Sequence, residues 1–528
     1  MDTLIERIIS GQYEEWTTDI KTLQDNFGSK MKFEELNKNN LRERLLNALF
    51  DYLMDDSRVD VHHDCLSTMR ILSRDKVGLN EIITEEKIKA ILKNAKLLDI
   101  NEEDECHNYT DITMESLKLL CNLLFNSAKV QELIPKTSCL ECLTNRMSRY
   151  SNVTPSNIKL FDVRILFLIT ALNVPSRTTV YSELKGDECL TKMLRDLSTG
   201  SSEEVKSSLQ ENDVTLACEV LKALFNLYIQ SDESRIDRQE KTKGLVSILY
   251  DLLIIKCDAK EEDLRSNIVN LLTVIPYDCY APIIPTAVNV DSERIYKDAD
   301  MSGISILLEF LNERLKSKKD LIANLSPVVT AFLRLVKAEK LIRKYVRLQI
   351  LPPLKDVMNR PEEGTTLRAK LCKLLTSPLT ELRDLVAEFL FVLCKENVSR
   401  MVKYTGYGNA AGMFANKGLL GNNREKANYS SESEDSDTEE YLKHKEQINP
   451  VTGCFEAPKP NPLEGMTEEQ KEYEALQLVN LVEKLTKEGI VQPCRIGEDG
   501  KPKPIEHVLE LQEELPRQQY TRRDSESD

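Results

Sequence analysis

The chain is poor in the features that mark enzymes and nucleic-acid binders. It has one tryptophan, Trp16, and aromatics make up only 6% of its 528 residues, which argues against a sandwich or propeller built on aromatic ladders. Its five histidines fall in no nucleophile-elbow or zincin pattern. No GxxxxGK followed by Ser or Thr is present, so direct nucleotide binding is not expected. Gly406-Tyr-Gly408-Asn-Ala-Ala-Gly412 has the wrong spacing for a dinucleotide loop, and no strand pattern precedes it. Lysine and arginine total 71 against 87 acids, a net charge of −16, which excludes nucleic acid as the main partner because backbone phosphates need a concentrated cationic face. The longest nearly apolar run, Ile165 to Pro175, is about half of the roughly 20 residues needed to cross a bilayer. The N-terminus carries acids early and lacks the apolar core of a secretory signal.

Thirteen cysteines are spread through apolar patterns and form no dense framework, which reads as buried thiols in a reducing compartment and a cytoplasmic location. Cys139 and Cys142 make a lone CxxC with no second pair at finger-like spacing. His62-His63 with Cys65, and Cys106-His107, are equally thin as ligand sets. No metal, cofactor or catalytic constellation is expected, so the chain should work by binding.

What is present is helical patterning. Hydrophobic residues make up 41% and charged residues 30%, enough for a sizeable core. Apolar segments recur at Leu66–Leu72, Leu117–Phe125, Val163–Leu172, Val220–Tyr228, Ile268–Ile275, Val328–Val336 and Leu385–Leu393. Their centres lie roughly 45 to 60 residues apart, near the period of HEAT and armadillo repeats with their loops. The expected class is all-α, with a repeat array over residues 1–400. The composition then changes. Residues 401–428 read as a Gly/Asn-rich connector, 429–447 as an acidic hydroxyl-rich segment, and 448–465, with four prolines, as a linker or a segment wrapped onto the array. A last helix is expected over 466–489: Thr467 and Gln470 form a capping box, Leu476, Val479, Val482 and Leu485 an apolar stripe, and Gly489 a stop. Residues 490–528 read as a flexible tail.

Two segments resemble each other: Glu115-Ser-Leu-Lys-Leu-Leu-Cys-Asn and Glu219-Val-Leu-Lys-Ala-Leu-Phe-Asn. Asn122, Asn226 and Asn270 each sit inside an apolar helix, where a buried amide needs partners. Such residues either line a peptide groove or bond to a neighbouring loop, and three at similar helix positions favour the groove. Arg70 and Arg74, four apart, should share one helix face. Lys340, Arg343, Lys344 and Arg347 form a basic stripe that invites an acidic partner, and Ser430–Glu440 is the internal candidate. Ser431 and Ser436 each precede an acid by three residues, the pattern that acidophilic kinases of the casein kinase II type accept.

Several stretches resemble the synembryn family, cytosolic chaperones and guanine-nucleotide exchange factors for heterotrimeric G-protein α subunits (Gα). They are RILSRDK (Arg70–Lys76), CNLLFNSAKVQ (Cys121–Gln131), LQILPPLKDV (Leu348–Val357) with the RPEEG after it, YTGYGNAAGMFANKGL (Tyr404–Leu419), EDSDTEEY, INPVTG (Ile448–Gly453) and MTEEQKEYEALQLVNLVEKL (Met466–Leu485). The resemblance implies a right-handed superhelix of armadillo and HEAT repeats whose concave groove holds the C-terminal helix of Gα. It implies that the last helix, with Tyr473 and the apolar stripe, engages the nucleotide-binding core. GDP would then leave, and nucleotide-free Gα would be protected until GTP binds, with no covalent step. Arg70, Arg74 and Asn122 resemble the family's groove residues. Lys340, Arg343 and Lys344 resemble its acceptor for the phosphorylated segment, and Ser431 and Ser436 its phosphorylated positions. A monomer is expected. The competing expectation is a repeat scaffold of the importin or catenin type, which binds extended peptides without exchange activity.

Overall fold

The computed structural model describes residues 2–11, 16–38, 40–99, 109–151, 153–199, 205–229, 236–287, 294–317, 319–420, 437–457, 463–497 and 499–505. The chain divides into two compact units, Met1–Phe310 and Leu311–Asp528, so the division falls well before the expected boundary at 400. The first unit begins with α1 (Asp2–Ser10), α2 (Trp16–Phe27), α3 (Glu34–Lys38), α4 (Leu41–Met54), α5 (Val59–Leu72), α6 (Leu79–Ile82), α7 (Glu85–Asn94) and α8 (Asp111–Asn126). It continues with α9 (Ala128–Leu133), α10 (Cys139–Ser148), α11 (Ser156–Leu172), α12 (Val174–Thr178), α13 (Gly186–Thr199), α14 (Glu211–Tyr228), α15 (Ile236–Ile254), α16 (Glu261–Leu272) and α17 (Ser302–Arg314), which runs across the division. Two-residue strands pair β1 (Ser208–Leu209) with β2 (Lys256–Cys257) in parallel, and β3 (Ile295–Tyr296) with β4 (Ala299–Asp300) antiparallel.

These helices form two rows. In one, α2, α5, α8, α11, α14 and α16 each pack on the next. The other runs through α4, α7, α9, α10, α13 and α15 and backs onto the first through α4 on α5, α7 on α8, α10 on α11, α13 on α14 and α15 on α16. Leu117, Leu120, Leu166, Leu221 and Leu224 are fully buried in this packing. Capping residues cut the rows into separate helices. Thr110 accepts the Thr113 N–H at 3.3 Å to start α8, and Ser127 ends it by turning extended and capping α9. The C-terminus of α5 is closed by buried Arg42, whose guanidinium donates to Leu72 O at 2.8 Å and Val77 O at 2.5 Å. Between α10 and α11, the fully buried Asp162 carboxylate accepts from Arg146 and from the Tyr150 hydroxyl at 2.5 Å. The all-α repeat character expected from the periodicity is thus present as stacked helix pairs.

The second unit holds α18 (Leu321–Ala338), α19 (Lys340–Ile350), α20 (Leu367–Leu374), α21 (Thr380–Leu393), α22 (Val398–Thr405), α23 (Tyr407–Asn416), α24 (Glu439–His444) and α25 (Glu468–Lys487). By length and composition α18 could cross a membrane, contrary to the reading that no segment reaches that length. It packs on α19 and α21 and buries Val328, Val329, Phe332, Leu335 and Val336, so its apolarity is used in this core.

The expected connector and linker form defined structure over their described residues, 401–420 and 448–457. Residues 401–428 include α23, which buries Ala410, Met413 and Phe414. The NPVTG stretch turns between β5 (Ile448–Asn449) and β6 (Cys454–Phe455) and clasps the start of α23: Tyr407 N–H donates to Pro450 O at 2.8 Å and Gly408 N–H to Val451 O at 2.9 Å. Asn409 Nδ2 donates to Glu362 at 2.8 Å, which brings RPEEG into the same contact. Gly406 and Gly453 both have positive φ, 73° and 71°. A Cβ on Gly453 would stand 2.8 Å from Pro361 and 3.0 Å from Gly406. Gly453→Ala should therefore cost the second unit about 1–3 kcal/mol, read as a lower melting temperature. A variant melting like the parent would mean that the clasp does not need the close approach. Part of the expected tail is ordered too, as an antiparallel hairpin of β7 (Cys494–Ile496) and β8 (Pro502–Pro504), with Leu420 N–H donating to Gly500 O at 3.2 Å.

Candidate functional site

Along the first row of the first unit, one arrangement occurs twice. On α8, Glu115 accepts from Arg70 Nε of α5 at 2.6 Å and from Lys118 Nζ at 2.7 Å. On α14, Glu219 Oε1 accepts from Arg164 Nη2 of α11 at 2.8 Å and from Lys222 Nζ at 2.9 Å. Two turns further along each helix stands an asparagine. Asn122 Nδ2 donates to Arg70 O at 3.0 Å and lies 3.4 Å from Ser73 Oγ; Asn226 Nδ2 donates to Phe167 O at 3.2 Å and Thr170 Oγ1 at 3.1 Å. Both carboxylates are buried while the four cationic side chains stay partly exposed. Each buried acid needs its cations, and each pair of cations exceeds its acid by one charge. Burial pushes the Glu115 carboxyl up, but Lys118 and Arg70 outweigh it and hold it below its ordinary value. The second cluster is braced by rings: Arg164 lies 5.5 Å from the Phe161 centroid and Lys222 5.0 Å from that of Phe167. The exposed Phe125 and Ile229 follow one turn past the asparagines.

The sequence-predicted groove residues separate. Arg70 and Asn122 meet, as just described. Arg74 does not share a face with Arg70, because α5 ends at Leu72 and Arg74 turns back to donate to Gly28 O at 2.6 Å. Asn226, only 7% exposed, spends its amide on α11, so it ties two helices of the fold together. Asn270 is half-buried on α16. Sequence reasoning missed Arg164, Lys118, Lys222 and the two acids. The usable signal was an acid recurring in an apolar helix at a fixed distance from Lys and Asn.

In the second unit, the basic stripe is not an open cationic face. Lys344 is 8% and Arg347 5% exposed, Arg343 donates to Val336 O at 2.9 Å, and none of the four with Lys340 lacks a partner. Ser431 and Ser436 lie outside the described residues. The described end of the acidic segment goes elsewhere: Asp437 pairs with Lys403 at 2.5 Å and Lys445 at 3.5 Å, and the Thr438 hydroxyl donates to Leu354 O while capping α24. The Lys403 hydrogen bond holds Asp437 below the usual carboxylate range, against a small cost of burial. A depressed carboxylate contributes stability above its unfolded pKa of about 3.9 and loses it as pH falls through the folded value. Thermal melting of the second unit should therefore be level from pH 7 to 5 and fall below about pH 4. Asp437→Asn should make that fall shallower, the rest being due to Glu388 and Asp356, which are also held low; an unchanged profile would remove the Lys403 anchor from consideration.

The expected capping box is present, with Thr467 accepting the Gln470 N–H at 3.3 Å and Gln470 Oε1 accepting the Thr467 N–H at 3.1 Å. Gly489 closes α25 at φ 70°. None of the described side chains of α25 is buried; Tyr473 is 63% and Leu476 62% exposed, while Val482 and Leu485 are half-buried. Among the described residues no group of His, Cys, Asp or Glu could hold a metal ion. Cys139 and Cys142 are buried, and desolvation raises both thiols.

A chicken (Gallus gallus) protein named Chaperone Ric-8A is 39% identical to this chain over 484 residues, covering 89% of each. Chaperone Ric-8 of Drosophila pseudoobscura pseudoobscura is 38% identical over 534 residues, covering 92% of this chain and 93% of its own. Among solved structures, an engineered protein aligns over 82% of this chain and 85% of its own at 15% identity, with a TM-score of 0.45. A family model described as guanine nucleotide exchange factor synembryn matches residues 65–501. With most of its length inside that match and chaperone relatives aligned nearly end to end, the chain belongs to the synembryn family of exchange factors.

Proposed function

We propose that the chain is a chaperone and guanine-nucleotide exchange factor for Gα. It takes the Gα C-terminal helix on the first row of the first unit, at the stripe of Arg70, Asn122 and Asn270, and engages the Gα nucleotide-binding core with α25. The observation that carries the reading is α25 itself: a capped helix of 20 residues that buries none of them. Most helical stability in proteins comes from packing an amphipathic face, so a stripe that leaves Leu476 and Val479 exposed calls for a partner. The helix lies in sequence between two hairpins, β5–β6 and β7–β8, each bonded to the α23 region, so it is offered as a strap fixed on both sides. Exchange then follows from linkage, because a partner that binds the open, nucleotide-free Gα more tightly than the closed one shifts the population toward it. No bond is made or broken. The test is release of a fluorescent GDP analogue from purified Gα with and without the full chain. Acceleration by several-fold is expected, and none would favour the peptide-binding scaffold.

A further inference from the structure

The duplicated cluster has a consequence for what the first row can select. We propose that its two copies, Arg70 and Lys118 held on Glu115 and Arg164 and Lys222 held on Glu219, are equivalent subsites that each take one carboxylate of the same helical peptide. This makes Arg164 and Lys222 specificity-determining residues, and it rests on the reading that this row receives the Gα C-terminal helix. In each copy the acid fixes two cationic heads without cancelling them, so one positive charge per cluster is left to meet a ligand. The heads are held in place before binding, by 2.6–2.9 Å contacts and, in the second copy, by the Phe161 and Phe167 rings, so little side-chain entropy is lost on capture. The first copy joins α5 to α8 and the second α11 to α14, a shift of two helices along the row. At about 8–10 Å per packed helix the copies are about 16–20 Å apart. A helix rises 1.5 Å per residue, so its matching carboxylates are about 11–13 residues apart, the chain-terminal carboxylate counting as one.

The test measures, by fluorescence anisotropy at low salt, binding of a synthetic peptide of the Gα C-terminal helix to the full-length protein. Its acids are neutralised one at a time as the amides. Lys222→Met alone, and the charge-removing set Arg164→Gln with Glu219→Gln and Lys222→Met, which leaves no unpaired buried acid, are compared with Arg70→Gln with Glu115→Gln and Lys118→Met. Circular dichroism checks that each is folded. Loss of one copy should weaken the parent peptide about 10-fold, the size of one charge-assisted hydrogen bond, and should not weaken the peptide that lacks the matching acid. A parent peptide that depends on the first copy but binds equally well without the second overturns the duplication and leaves the proposed function standing. No binding of the peptide to the wild-type chain would overturn both. Sensitivity to acids about 5–6 residues apart would mean an extended ligand and would overturn the helical assignment.

Discussion

Asp162→Ala should lower the stability of the first unit by about 3–5 kcal/mol. The carboxylate is fully buried and accepts from both Arg146 and the Tyr150 hydroxyl, while Arg146 also donates to Ala95 O at 3.0 Å. Burial pushes the Asp162 carboxyl up and Arg146 works against it, and for a buried pair the desolvation cost can offset much of the mutual attraction. Removing one partner is another matter, because it strands a guanidinium away from water. The double variant Arg146→Met with Asp162→Leu removes both charges at similar volume and should recover much of the loss. The opening free energy of the α10 and α11 amides, read by hydrogen exchange, compares the three. A single variant within about 0.5 kcal/mol of wild type would show that water reaches the Arg146 head.

Leu476→Asp with Val479→Asp should reduce nucleotide exchange at least 10-fold and leave the melting curve unchanged. Both side chains are exposed, so charging them costs the fold within about 0.5 kcal/mol. If Gα covers the stripe, each aspartate must be desolvated there without a partner, at a cost far above the apolar contact it replaces. Exchange at full rate by the folded double variant would reduce α25 to a spacer, and the Gα reading would lose its main support.

Local signals in the sequence carried well. Thr467, Gln470 and Gly489 set the ends of α25 through contacts within three or four residues, and such contacts are visible in any chain. The recurring apolar segments gave the all-α class for the same reason. Long-range contacts were hidden. The glycines of GYG and NPVTG looked like linker composition, yet Gly406 and Gly453 are glycine because two backbones cross within about a van der Waals contact. The stripe from Lys340 to Arg347 has correct helical spacing, but spacing does not say which face is covered. Because α19 lies against α18 and α21, two of its four cations are buried. The clusters at Glu115 and Glu219 were half legible: the repeat was plain, but their arginines come from other helices, at Arg70 and Arg164.

The rows of the first unit also bear on how the chain can come apart. Each helix touches mainly its neighbours in the row and in the backing row, so the cooperative unit is a helix pair with its flanks. Unfolding can begin at an end and halt part-way, and a single transition temperature then describes no one event. Hydrogen exchange along such a chain would follow a gradient, with slow amides at α11 and α14 and fast ones toward α1.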